Sequence, residues 1–409
     1  MKKTLFAQML FSFAFIIVLI LGVILTGFSL IYTKSYEEQL FAENDRFSAM
    51  IAGELYSFIN RAYHVVEELS FNDQVISMAT APQNAVFASC IERNPYFELL
   101  YAQGMDGMQT GRSSGNLGNR KNRWWFIQME ELRKPFVSES YFSVSTNAPC
   151  ASVFYPITEN QEMTGIMAGD IKLSALQDFI TGSSEKGSWA FILDGQGVVV
   201  AHPEASYLEE LYSYRKMTKT VILTDAGGNA LLDSKGNVQT EEQPFAISGQ
   251  YKAAIADMMA GNTGSAKFRE NNDTLYISYR PVPMDGASDP WYVISVKESS
   301  VVMSARNTVM LAILSIGLFT GLIALLIIYV VSRRISVPIK GVYSVLQKIG
   351  EGDMTGTIEV RSSGEIGEMM RLLDRTRESM GSLIMTIKDT AMSLFTVGTE
   401  LSTLTGEFA

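Results

Sequence analysis

The chain has 409 residues, enough for two or three domains, and a formal net charge of −10. That charge argues against a nucleic-acid surface, which needs clustered Lys and Arg. Two cysteines (Cys90, Cys150) and two histidines (His64, His202) are too few for a disulfide framework or a four-ligand zinc site. They also leave no Ser-His-Asp or Cys-His grouping. No catalytic constellation, metal site or cofactor is therefore expected. The cysteines read as two separate buried thiols, with a single bridge as the alternative, and the histidines as structural or surface residues.

Residues 1–4 form a short N-terminus containing Lys2 and Lys3, and residues 5–32 are almost wholly apolar and uncharged. At about 1.5 Å per residue this run exceeds the roughly 30 Å of bilayer hydrocarbon. No small-x-small cleavage site follows, so the run reads as a retained anchor rather than a secretory signal. Residues 309–331 form a second such run, with Gly317 and Gly321 at the small-xxx-small spacing that lets helices approach, and Arg333 and Arg334 directly after it. The basic pairs flank the two runs on their outer sides. The positive-inside rule therefore predicts a multi-pass protein of the inner (cytoplasmic) membrane, in contact with lipid, with both termini cytoplasmic and residues 33–308 outside.

Residues 34–70 are rich in Glu, Leu, Phe, Ala and Ile, contain no proline, and predict a long helix leaving the membrane as a stalk and dimer contact. Beyond it, strand and turn signals occur in the same order twice. Residues 97–101 lead into Gln-Gly-Met-Asp-Gly at 103–107, and residues 189–193 lead into Asp194, Gly195 and Gly197 and the β-branched run 198–200. Later, a strand over 150–157 ending in Tyr-Pro-Ile is followed by a polar loop and a strand over 165–173. A strand over 274–282 ending in Tyr-Arg-Pro-Val is likewise followed by a loop and a strand over 291–296. The order predicts an α+β fold with two lobes, each built on an antiparallel sheet. Asp194, Gly195 and Gly197 read as a turn.

A long helix and two sheet lobes between two spans resembles the double Cache sensor domain of bacterial receptors. The resemblance implies PAS-like lobes, a distal one at about 85–180 and a proximal one at about 181–300, with the ligand in the distal lobe. There the sequence offers Arg123, Trp124, Trp125, Tyr141 and Asp170. An α-amino acid carries a carboxylate and an ammonium on one carbon. Arg123 supplies a planar fork for the first and Asp170 an acceptor for the second, while Trp125 and Tyr141 can wall the pocket. Arg-x-Trp, then Tyr, then Gly-Asp-Ile also resembles the amino-acid motif of double Cache sensors. That resemblance implies that Arg123 and Trp125 hold the carboxylate, Asp170 the amino group, and that Tyr141 lines the site. Phe126 and Gly118 stand where the family often has aromatic or hydroxylated residues, which leaves related amines, carboxylates and other small polar ligands open. Solvation of Arg123 beside Arg120 and Lys121, and a core role for the tryptophans, are the ordinary alternatives.

After the second apolar run, Ile335, Pro338, Val342, Val345 and Ile349 keep a three-four rhythm. Glycines at 350, 352 and 356 break it, and a second seam runs through Ile366, Met369, Leu373, Thr376, Met380, Leu383 and Ile387 to Leu404. Residues 332–384 resemble the HAMP linker. Pro338 matches the proline of its first helix and Glu365 the glutamate opening its second, which implies a parallel four-helix bundle in a homodimer. Residues 385–409 resemble the start of the signalling helix of methyl-accepting chemotaxis receptors. A cytoplasmic kinase and adaptor are implied as partners only where the signalling hairpin is present, and the sequence stops before it. The expected function is a transmembrane chemoreceptor for a small ligand; the alternative is the sensory half of a histidine kinase or cyclase.

Overall fold

The computed structural model describes residues 4–143, 148–225, 231, 239–270, 273–356 and 364–407. The chain divides into two compact units, Tyr32–Thr308 and Met1–Ile31 with Val309–Ala409. One unbroken helix, α1 (Leu5–Ser70), contributes to both.

In the first of these units α1 buries a residue every three or four positions, among them Leu40, Ile51, Leu55, Ile59, Ala62 and Val66. That spacing sets one face of the helix inward. Two helices, α2 (Asp73–Ile76) and α3 (Thr80–Arg93), lead to the first lobe. It comprises β1 (Phe97–Gly104), β2 (Gln109–Arg112), α4 (Trp124–Leu132), β3 (Phe136–Val137), β4 (Tyr141–Phe142), β5 (Pro149–Glu159) and β6 (Glu162–Lys172). The sheet order is β2-β1-β6-β5-β3, with β4 also paired to β5. Helix α5 (Leu173–Ser183) opens the second lobe, which comprises β7 (Ser188–Leu193), β8 (Val199–Ala201), α6 (Ser206–Glu209), the ribbon β9 (Thr218–Ile222) with β10 (Thr240–Pro244), α7 (Gly249–Met259), β11 (Gly264–Glu270), β12 (Asp273–Val282) and β13 (Trp291–Glu298). Its order is β8-β7-β13-β12-β11. Each lobe thus sets the last strand of a second hairpin beside the first strand of the first, so the doubled order in the sequence is a doubled topology.

One expected loop is a tight turn. Strands β5 and β6 stay paired out to Glu159 and Glu162. Asn160 and Gln161 close the hairpin at φ 51° and 70°, the left-handed pair a two-residue turn requires. The polar residues that suggest a loop are the solvated tip of the ladder.

Alternation along the strands separates two apolar layers. One face of both sheets packs on α1, where Ile51, Leu55, Ile59 and Val66 share a core with Leu100, Val153 and Met167 of the first lobe and Ile192, Val282 and Val293 of the second. The other face of the first sheet, with Leu99, Tyr101, Phe154, Ile166 and Ala168, packs on Trp125, Phe126 and Met129 of α4. Cys90 and Cys150 are both buried and form no disulfide. The lobes also touch through backbone, as Ala287 N donates to Pro135 O at 2.8 Å. Gly286, at φ +75°, makes that approach possible, because a Cβ there would stand 2.2 Å from Pro135 O. Gly286→Ala is expected to destabilise the chain by about 1–3 kcal/mol, seen as a lower denaturation midpoint; an unchanged midpoint would refute the tight contact.

Helix α8 (Ser299–Gly350) also runs from the first unit into the second, where it lies against the start of α1. A Cβ on Gly317 or Gly321 would come within 3.3 Å of Leu25 or Leu21, so the small residues set the spacing of these two helices. Both helices are long and apolar enough to cross a membrane. Helix α8 continues through Pro338 without interruption. Glu365 stands in the first turn of α9 (Gly364–Glu407), where a carboxylate faces the positive end of the helix dipole. Val342 and Met370 pack together with Val345 and Leu373. The expected seam sets Met369 inward, but within the chain Met370 takes that place and Met369 is 42% exposed. Lys2, Lys3 and Ala409 lie outside the described residues, as does the side chain of Leu404.

Candidate ligand site

Asp170 lies on the central strand β6, opposite Leu99 of β1 and Ser152 of β5. Directly opposed residues project to the same face, so the carboxylate stands among the side chains of that layer. It is 5% exposed. Ser152 Oγ donates to Asp170 Oδ1 at 2.6 Å. Having spent its proton there, Ser152 accepts from the Tyr141 hydroxyl at 2.7 Å. Burial pushes Asp170 up to about 6, against the pull of the Ser152 hydrogen bond; Glu98 adds to the rise and Arg112 opposes it. At neutral pH the group is mainly an ionised, poorly solvated carboxylate. Burial likewise raises the Tyr101 and Tyr141 hydroxyls well above the ordinary tyrosine range, with Asp170 as the next cause for both, so they remain proton donors.

Arg123 is the residue before α4, in extended backbone at φ −80° and ψ 141°. Its guanidinium lies 5.9 Å from the centre of the Tyr141 ring, at the distance of a cation–π contact. Trp125 is 2% exposed and stacks on Phe154 with centroids 4.7 Å apart. It is both core and wall, so the two readings of this residue do not compete. Trp124 meets Tyr141 edge-on at 5.8 Å. Phe126 is fully buried in the layer beneath.

These side chains surround a cleft of about 330 Å³, solvent at its mouth included, lined by Arg123, Trp125, Tyr141 and Asp170 with Tyr101, Arg112 and Arg120. All four residues singled out from sequence therefore share one cleft. Sequence reasoning does not bring Arg112, Arg120 and Ser152 to this place. Arg112 is 7% exposed and donates to Asn116 O at 2.9 Å and Gln109 Oε1 at 3.3 Å. Its signal is strand register, since it pairs with Tyr101 on the same face. Arg120 belongs to the basic stretch that reads as solvated from sequence.

The histidines stand elsewhere. His64 is exposed and contacts Glu67 Oε2 at 2.7 Å. His202 is buried, stacked on Tyr207 at 4.1 Å, and burial lowers it to about 4, which keeps the ring neutral. Among the described residues no group of three or more His, Cys, Asp and Glu could hold a metal ion.

A two-lobed sheet module on a long helix, with a polar cleft in its first lobe and an attached unit of long apolar and amphipathic helices, defines a membrane sensor. The chain belongs to the Cache domain family, whose model matches residues 32–306, and a HAMP domain matches residues 330–382. It is 24% identical over 318 residues to the methyl-accepting chemotaxis protein TlpQ of Pseudomonas aeruginosa, covering 71% of this chain and 40% of TlpQ. It is 22% identical over 315 residues to PctB of the same organism, covering 74% of this chain and 43% of PctB. The chain thus spans about two fifths of the length of these curated relatives. The ligand-binding domain of the Pseudomonas fluorescens chemoreceptor CtaA, solved with L-isoleucine, is similar at 14% identity and TM-score 0.46, covering 66% of this chain and 98% of that one.

Proposed function

We propose that this chain is the sensory and relay portion of a transmembrane chemoreceptor, and that its first lobe takes a small α-amino acid from outside the cytoplasmic membrane. The observation that carries this reading is the single cleft that pairs Arg123 with Asp170 across aromatic walls. Arg123 would hold the ligand carboxylate and the buried, ionised Asp170 its ammonium. Trp125 and Tyr141 would exclude water and so strengthen both contacts. The names of the relatives support a chemotactic output.

A homodimer is part of the proposal. Leu383, Ile387, Leu394, Val397 and Leu401 of α9 are each more than half exposed. A heptad stripe of that length needs a partner helix, and a second copy supplies an identical one. The sensor would then bias two packings of the Pro338–Glu365 relay bundle, to the extent that ligand affinity differs between them.

The test is calorimetric titration of the full chain in lipid nanodiscs against a panel of L-amino acids. Arg123→Ala is expected to weaken a binding amino acid at least about tenfold, since charge-assisted hydrogen bonds are lost. A variant that binds a confirmed ligand as tightly as the parent would refute the assignment.

A further inference from the structure

Where the start of α1 lies against α8 there is a second cleft, of about 1290 Å³ with solvent at its mouth included, whose lining includes Leu5 and Phe6 of α1 and Val337, Ile339, Lys340 and Tyr343 of α8. We propose that this cleft seats one anionic phospholipid of the cytoplasmic leaflet, its acyl chain against α1 and its phosphate held by Arg333 and Lys340. The proposal rests on the reading of the two long apolar helices as membrane spans, and it is independent of what the sensor lobe binds.

The packing of the helices sets the level of the cleft. Leu21 and Leu25 stand opposite Gly321 and Gly317, so the helices run antiparallel. Nearer the start of α1, Ser336 Oγ donates to Met9 Sδ at 3.8 Å. Leu5, one turn before Met9, therefore stands near the level of Lys340. The apolar run of α1 begins at Leu5, whereas that of α8 ends at Val331 and is followed by Arg333 and Arg334. Over these last turns an apolar wall faces a cationic one, at the height where the positive-inside rule puts the lipid headgroups. Arg333, Val337 and Lys340 follow at spacings of four and three and so share a face of α8. Helix α8 contains no Asp or Glu, and α1 contains none before Glu37, so neither helix supplies an anion to this face.

The relay seam does not cover the cleft. That seam runs through Ile335, Pro338, Val342 and Val345, and Val342 packs on Met370 within the chain. Val337, Lys340 and Tyr343 fall between those positions, and Leu5, Val337 and Tyr343 are exposed. An apolar trough with a cationic rim suits an amphiphile with an anionic head, as in basic pockets between helices at the cytoplasmic surface. A zwitterionic head would bring an ammonium against the same cations.

The test is native mass spectrometry of the full chain in neutral detergent, titrated with phosphatidylglycerol or phosphatidylcholine of matched acyl chains. Phosphatidylglycerol is expected to be retained at least about fivefold more tightly, since each basic residue near an anionic lipid contributes about that factor. Lys340→Gln is expected to remove most of the preference and Lys340→Arg to keep it. A photoactivatable phosphatidylglycerol should label residues 336–343. Equal retention of the two lipids, an undiminished preference in Lys340→Gln, or labelling confined to other segments overturns the proposal. So does a disulfide between two copies of Val337→Cys that excludes the lipid, which would give the cleft to a second chain. Release of the chain from membranes by alkaline washing would instead overturn the membrane reading itself.

Discussion

Asp170→Asn is expected to make the ligand-free protein more stable while abolishing amino-acid binding. The two effects have one cause. The carboxylate is almost completely buried, and its burial lifts it from the ordinary 3.8 to about 6. A folded-state value above the unfolded one means that this group's contribution to stability is fully present below about pH 4 and is lost as pH rises through about 6. A rise of that size costs the folded state about 3 kcal/mol at neutral pH. The neutral amide avoids that cost and can still accept the Ser152 proton. The variant should therefore melt several degrees higher at pH 7, and the gain should vanish near pH 4. Binding should fall at least about a hundredfold, because the ligand ammonium would meet an amide dipole in place of a charge. For the parent chain, affinity for an amino acid should drop about tenfold per pH unit below pH 6 as Asp170 takes up a proton. The groups around it are Ser152, Tyr101, Tyr141, Cys150, Arg112, Arg123 and Glu98; burial raises the Tyr101 and Tyr141 hydroxyls and the Cys150 thiol, which keep their protons in that range. Melting curves across pH combined with calorimetry decide the matter. A variant that is destabilised yet binds normally would make Asp170 a structural residue.

Much of the architecture is legible in the sequence because it is written in short-range patterns. Apolar runs bounded by Arg333 and Arg334, the proline-free, helix-favouring composition of residues 34–70, and turns carrying Gly107 and Gly197 all act within a few residues of themselves. The four site residues are legible for a different reason. An arginine beside two tryptophans, and an aspartate following the run Gly165–Gly169, conflict with their local surroundings, and such conflicts mark sites. Ser152, Arg112 and Arg120 carry no local conflict. Ser152 matters only because β5 pairs with β6 in a register that sets it opposite Asp170. Arg112 matters because β2 is the neighbour of β1. Register is a tertiary fact, and period-two alternation gives a strand's faces without giving its partner. Met370 replaces Met369 in the relay contact for a related reason, as a seam pattern does not say which edge of the stripe meets the helix of the same chain.

Asp194 shows the same limit with a larger consequence, and its replacement by asparagine is expected to uncouple the lobes. From sequence it is a turn residue, and it is one: Oδ1 accepts from the amides of Gln196 and Val198, both at 2.9 Å. Its other oxygen crosses to the first lobe and accepts from both the amide and the hydroxyl of Ser140 at 2.7 Å. All four contacts are donations to a fully buried acceptor. Burial raises its pKa and the hydrogen bonds from Ser140, Val198 and Gln196 oppose that rise. An amide presents an N–H₂ group where one oxygen stood, so donors meet donors whichever way it turns, at a cost of about 3–5 kcal/mol. The position of Ser140 gives this contact its weight. It directly precedes Tyr141, a wall of the ligand cleft, while the Asp194 turn follows β7, which pairs with β13, the strand that leads into α8. The clasp is thus a short covalent and hydrogen-bonded route from cleft to span. Asp194→Asn should lower the melting temperature and split the melt of the sensor into two transitions. It should keep amino-acid affinity within a few fold and suppress the ligand-dependent change in crosslinking between cysteines placed along α8 in the dimer. Spatial intermediacy alone does not establish coupling, so the crosslinking readout is decisive: a ligand response in Asp194→Asn equal to that of the parent would show that α1, whose core spans both lobes, carries the signal without the clasp.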